Sequence, residues 1–181
     1  ATTLIFNDLS SGANDNGGSG IATYHVRDST DEWTDIGAAG YGSMTLEEGV
    51  RTIQFRAEDR VGNIGEPLNI TIMVDRTAPV AGGWILPELT DSLSGQVAVT
   101  VDVTDTHSGI DAASCNIEYG FDSNGAGNTP DISSDWLSVG SGTSSQLSAA
   151  IDWSTRAGQY LSLRATLVDD AGNTVTTTAS H

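Results

Sequence analysis

Three landmarks occur twice in this chain, in the same order, on either side of Val74-Asp75-Arg76-Thr77-Ala78-Pro79. Asp15-Asn16-Gly17-Gly18-Ser19-Gly20-Ile21 answers to Asp105-Thr106-His107-Ser108-Gly109-Ile110, and Trp33-Thr34-Asp35-Ile36-Gly37 answers to Trp136-Leu137-Ser138-Val139-Gly140. Asp59-Arg60-Val61-Gly62-Asn63 answers to Asp169-Asp170-Ala171-Gly172-Asn173. A chain that repeats its turns in order folds as copies of one unit. Pro79 supplies the punctuation, because it removes a backbone donor and drives Ala78 toward an extended conformation. Two domains are expected, residues 1–78 and residues 79–181.

The segments between these turns alternate with period 2, the signature of half-buried strands. Val97, Val99, Val101 and Val103 give the clearest case, and Leu68, Ile70, Ile72 and Val74 give another just before the linker. Ile53, Phe55 and Ala57 in the first copy correspond to Leu161, Leu163, Ala165 and Leu167 in the second. Further short strands are expected at Thr3 to Phe6, Ile21 to Val26 and Met44 to Leu46. Trp84-Ile85-Leu86 opens the second copy and has no counterpart in the first. No segment carries a helical apolar period. Many short strands separated by Gly, Asn and Asp turns indicate an all-β chain of two β-sandwiches.

Charge narrows the function. The chain has 24 acidic residues against 7 basic ones, a net charge of −17, and its long-range field repels nucleic acid and anionic membrane surfaces. All seven basic residues are arginine, and Asp outnumbers Glu 17 to 7. That bias suits divalent-cation binding or salty surroundings in which carboxylate repulsion is screened. No apolar run approaches the ~20 residues of a membrane span, so no membrane insertion is expected within this segment. Cys115 is the single cysteine, which rules out a disulfide within the chain.

Both halves resemble the immunoglobulin-like repeats of bacterial and archaeal surface proteins. The motifs that carry the resemblance are a D-x-x-S-G-I turn at Asp105 to Ile110, a central Trp at Trp33 and Trp136, an R-A-x-D-x-x-G-N hairpin at Arg56 to Asn63, and a D-x-T-A-P linker at Asp75 to Pro79. The second copy departs from the hairpin motif, with Thr166, Leu167 and Val168 between Arg164-Ala165 and Asp169. The first copy begins at what should be its second strand, and its 78 residues fall short of the ~100 of a full immunoglobulin-type sandwich. Its initial strand is therefore expected to be missing or supplied from elsewhere.

In such a sandwich the loop after the second strand and the last hairpin lie at the end the incoming linker reaches, so the resemblance implies that Asp75, Asp105, Asp169 and Asp170 converge. Clustered carboxylates repel unless protonated or neutralised, and Ca²⁺ takes about 6–8 oxygen ligands. A structural Ca²⁺ site is expected there, with a weaker one at Asp8, Asp15 and Asp59 in the first copy. The same residues also suit a purely structural role, since Asp at the start of a tight turn accepts backbone N–H groups and Gly62 or Gly172 supplies the left-handed residue.

Trp33 and Trp136 occupy equivalent places and are expected to be buried core anchors. Trp84 and Trp153 are unrepeated and are the candidates for a sugar-binding surface. His107 cannot chain a nucleophile to its sequence neighbours as a catalytic triad requires, so a non-enzymatic role is expected. The resulting expectation is an extracellular, cell-surface spacer or adhesion segment stiffened by calcium, working beside neighbouring domains or subunits of a surface protein. Alternatives are a surface-filament or surface-layer subunit assembling by strand addition, and a carbohydrate-binding accessory to a secreted enzyme with a glycan as ligand.

Overall fold

The computed structural model describes the chain apart from residues 1, 8, 10–12, 14, 87–94, 123–136, 140, 144, 153, 155–158 and 181. Asp8, Trp136 and Trp153 thus lie outside the described residues. The chain divides into two compact units, Ala1–Asp75 and Arg76–His181, and among the described residues both are built of β-strands.

The first unit contains β1 (Thr2–Phe6), β2 (Ile21–Asp28), β3 (Thr34–Asp35), β4 (Gly42–Leu46), β5 (Gly49–Asp59) and β6 (Leu68–Val74). One sheet runs β3-β2-β5-β6, and the facing layer is the antiparallel pair β1-β4. Alternation decides what is buried: Val26, Ile53, Phe55 and Val74 from the larger sheet meet Phe6 and Leu46 from the smaller. Phe6 and Phe55 pack edge to face with ring centroids 5.6 Å apart, a favoured aromatic geometry. Gly42 makes this packing fit, because a Cβ there would stand 2.5 Å from the Phe6 ring. Asp28 is buried at the end of the inward face and accepts from Arg51 Nε at 2.6 Å, so its charge is paired as burial demands. Among the described residues β1 has β4 as its sole strand neighbour.

The second unit is more complete. It contains β7 (Val80–Ile85), β8 (Gln96–Thr104), β9 (Asn116–Asp122), β10 (Leu137–Val139), β11 (Ser141–Gly142), β12 (Gln146–Asp152), β13 (Tyr160–Val168) and β14 (Thr174–Ser180). The sheets run β11-β12-β8-β7 and β10-β9-β13-β14. Val97, Val99, Val101 and Val103 all point inward from β8, and Leu161, Leu163, Ala165 and Leu167 meet them from β13. β7 joins β8 with a shift of register between Ala81 and Trp84. Gly82 permits the close approach, since a Cβ there would stand 2.9 Å from that of Asp102.

Trp33 corrects the expectation of a core anchor. It is only half-buried and stands outside the core cluster of its unit. The cause is its position after β2, on the outward side of the sheet. Arg27 and Arg56 project there because their neighbours Val26 and Phe55 project inward, and their guanidinium carbons lie 4.5 and 4.0 Å from the indole centroid. Cation–π stacking, not burial in apolar packing, holds this tryptophan.

Candidate functional site

In each unit the loop that ends in Ser-Gly-Ile, Asp15 to Ile21 or Asp105 to Ile110, and the D-x-x-G-N hairpin form one assembly. The hairpin Asp organises its own turn. Asp169 Oδ1 accepts the N–H groups of Ala171 at 2.9 Å and Asn173 at 2.8 Å, and its Oδ2 accepts Asn173 Nδ2 at 2.8 Å. Asp59 does the same with Val61 at 2.9 Å, Asn63 N at 2.8 Å and Asn63 Nδ2 at 2.7 Å. Gly62 and Gly172 take φ of 89° and 87°, a left-handed conformation that glycine adopts without a Cβ clash. Hydrogen bonds from the Asn63 side chain and backbone, with a further one from Val61 N–H, hold the Asp59 carboxyl below the usual carboxylate range, against an opposing push from burial.

The other loop is tied to this hairpin through its backbone. Arg60 N–H donates to Gly20 O at 3.0 Å, and Asp170 N–H donates to Gly109 O at 3.0 Å. Ile21 pairs with Asp59, and Ile110 with Asp169. Each loop also carries its own acceptor. Asp15 Oδ2 takes Gly20 N–H at 2.6 Å, while Asp105 Oδ1 takes both His107 N–H and Gly109 N–H at 2.9 Å. The turn role assigned to these aspartates is therefore present in both copies.

Two features separate the copies. The first is the residue over the loop glycine. A Cβ on Gly20 would meet the Arg60 guanidinium at 3.7 Å, whereas a Cβ on Gly109 would meet Asp170 Oδ2 at 3.6 Å. Where the first unit brings a cation, the second brings another carboxylate. The second feature is the other oxygen of Asp105. Oδ2 is buried and has no hydrogen-bond partner among the described residues, and carboxylate oxygens of Asp105 and Asp169 come within 4.8 Å of one another. A buried, unpartnered carboxylate oxygen beside a second carboxylate is costly unless a cation joins them.

The remaining expected residues fall as follows. Asp75 follows β6, is half-buried and is the last residue of the first unit. Trp84 packs against the core of the second unit, and its Nε1 is buried without a hydrogen-bond partner among the described residues. The exposed His107 places Nδ1 3.0 Å from Thr106 Oγ1. Sequence reasoning overlooked Arg60 as the counterpart of Asp170, although the repeat sets them at the same position. Cys115, named from the sequence only as the single cysteine, has a buried Sγ that accepts from Val168 N–H at 3.2 Å, next to Asp169. Burial pushes the Cys115 thiol pKa up.

No family model matches the chain, and no curated protein matches it. Among solved structures, it is similar to a DUF3823 family protein from Bacteroides ovatus at 12% identity and a TM-score of 0.32, covering 99% of this chain and 96% of that one. It is also similar to a beta-glucuronidase, number 3 of Bacteroides uniformis, at 15% identity and a TM-score of 0.23, covering 89% of this chain and 21% of that one.

Proposed function

We propose that this chain is a non-catalytic, extracellular spacer or adhesion segment of a surface protein, and that Ca²⁺ stiffens its second sandwich through Asp105 and Asp169, with Asp170 and backbone carbonyls completing the shell. The Asp105 carboxylate, whose buried Oδ2 has no hydrogen-bond partner among the described residues and which has an oxygen within 4.8 Å of one of Asp169, carries this reading. Calcium suits such a place because it is a hard cation that accepts carboxylate, carbonyl and water oxygens in flexible numbers. The minimal ligand set lies entirely in the second unit. In the first unit Arg60 stands where Asp170 stands in the second, so the weaker first-copy site drops out of the proposal.

The surface role is supported by the tandem sandwiches, the acidic charge and the motif resemblance. Among the described tryptophans carbohydrate binding gains no comparable support, since guanidinium groups meet the Trp33 ring and Trp84 packs on the core.

Extracellular modules of this kind bind calcium at about 10⁻⁴–10⁻³ M. At ten times Kd, binding stabilises the bound unit by about 1.4 kcal/mol through mass action. Hydrogen exchange of the β13 amides in calcium and in chelator tests this. Slower exchange in calcium for the wild type, abolished in Asp105→Asn, is expected. An unchanged rate in the wild type, or an equal response in Asp105→Asn, rejects the site.

A further inference from the structure

The outward face of the larger sheet in the first unit gathers positive charge in a chain whose net charge is −17. Arg27 of β2 and Arg56 of β5 both meet the Trp33 indole, with guanidinium carbons 4.5 and 4.0 Å from its centroid. Two like charges brought to one half-buried ring repel each other unless an anion joins them. Arginines elsewhere in the fold are neutralised directly: Arg51 pairs with Asp28, and Arg164 Nε donates to Glu118 Oε2 at 2.7 Å. Among the described residues neither Arg27 nor Arg56 has a carboxylate partner.

The two copies part at one strand position. β2 and β9 hold the same place in their sheets, beside β5 and β13. In the second unit the arginine of the Arg-Ala pair, Arg164, lies opposite Glu118 of β9. In the first, Arg56 of the Arg-Ala pair lies opposite His25 of β2. The carboxylates of these strands are engaged with other donors, since Glu58 Oε2 stands 3.0 Å from His25 Nε2 and Asp35 accepts from Thr23 Oγ1 and Gly37 N–H. Asp31 and Glu32, just before Trp33, are exposed and form no ion pair with either arginine. Gln54 holds Arg27 in place by accepting from its Nε at 2.6 Å while donating to Asn69 Oδ1 at 2.9 Å. Only the terminal N–H groups of Arg27 are left to offer. Arg56 keeps its Nε buried with no hydrogen-bond partner among the described residues, a guanidinium drawn partly out of water with its charge uncompensated.

We propose that Arg27 and Arg56, held on the Trp33 indole, bind one tetrahedral oxyanion, a sulfate or phosphate group either free or as a monoester, through their terminal N–H groups. A guanidinium resting on an aromatic ring keeps N–H donors in a fixed fork that suits paired oxygens. The ring itself is taken by the two guanidiniums, so the site reads charge and not the apolar face of a sugar. The acidic surface around it repels a polyanion, which leaves a single compact group as the fitting ligand. No residue is shared with the calcium proposal, and the ligand has the opposite charge, so either can fail without the other.

The test titrates the isotope-labelled full chain with sodium sulfate and, separately, sodium phosphate, at an ionic strength held constant with sodium chloride, and follows the arginine Nε–H resonances by NMR. Saturable shifts of the Arg27 and Arg56 resonances are expected, with those of Arg51 and Arg164 unmoved. Arg56→Gln should weaken binding about tenfold by removing one fork and its charge, and Arg27→Gln carries the same prediction should that variant fail to fold. Arg164→Gln should leave binding unchanged, because Glu118 already holds that side chain. Galactose sulfate distinguishes the sources: tighter binding than the inorganic ion assigns the group to an ester, and weaker or equal binding assigns it to the free anion. Galactose itself should shift neither resonance. Absence of saturable shifts with every one of these anions, equal shifts at Arg164 and Arg56, undiminished affinity in Arg56→Gln or Arg27→Gln, or equal binding of uncharged galactose would overturn the proposal.

Discussion

The loop pair of the first unit and that of the second share nearly the same hydrogen bonds and differ in charge. Asp59 and Asp169 close their hairpins with matching donors, and each hairpin is tied to the neighbouring loop by the same backbone bond. Above that common frame stands Arg60 in one copy and Asp170 in the other. The difference separates two roles that one aspartate motif can serve. Closing the turn needs only the carboxylate and its N–H donors, whereas a cation site needs a surplus of oxygen over local donors. Among the described residues the second loop pair has a buried surplus oxygen, Asp105 Oδ2.

The largest expected effect tests the shared role. Asp169→Ala removes a buried acceptor of three hydrogen bonds and should cost about 3 kcal/mol in chelator, as read by denaturant unfolding of the second unit. Asp59→Ala should destabilise the first unit less, because Asp59 is 9% exposed against 1% for Asp169 and water can reach the donors it leaves. Equal and negligible losses would show that the turns close without their aspartates.

A smaller effect tests the difference. Asp170→Arg gives the second unit the cation the first already has, and should raise its stability in chelator by about 0.5–1 kcal/mol while weakening calcium binding. Titration calorimetry of this variant against the wild type checks it. Undiminished calcium binding would make Asp170 a bystander.

The smallest effect is acid dependence. The folded Asp59 pKa is lowered by its Asn63 and Val61 hydrogen bonds, so its contribution is present above the unfolded value of about 3.9 and is lost as pH falls through the lower folded value. Asp59→Asn should flatten the acid limb of the first unit's stability profile. A limb of unchanged slope would mean that other carboxylates set it.

Much of the fold could be read from alternation. Val97 to Val103 and Leu68 to Val74 are strands because apolar side chains recur every second residue, and both occur as such in β8 and β6. β14 escaped notice because Thr174 to Ser180 is threonine-rich and shows no apolar period, although β-branched threonine suits a pleated strand. β12 was obscured by serine and alanine between Leu147 and Ile151. The start of β7 was hidden by the register shift at Gly82-Gly83.

At the site, the Asp105 and Asp169 turns were legible from the repeat, and their nearness only from the resemblance to immunoglobulin-like repeats. The orphaned Oδ2 was not, since hydrogen-bond satisfaction depends on where each oxygen points. The stacking of Trp33 was equally illegible, because Arg27 and Arg56 meet it only after β2 and β5 are paired.

The central claim, a calcium ion closing the second loop pair, has a reporter beside it in the single cysteine. Cys115 is 5% exposed, and its Sγ engages Val168, the residue before Asp169. Thiol labelling by a maleimide therefore requires that end of the sandwich to open. If calcium holds the loops closed, ten times Kd of calcium should slow labelling about tenfold relative to chelator, and Asp105→Asn should erase the difference. Labelling at the same rate with calcium and with chelator in the wild type would contradict the claim.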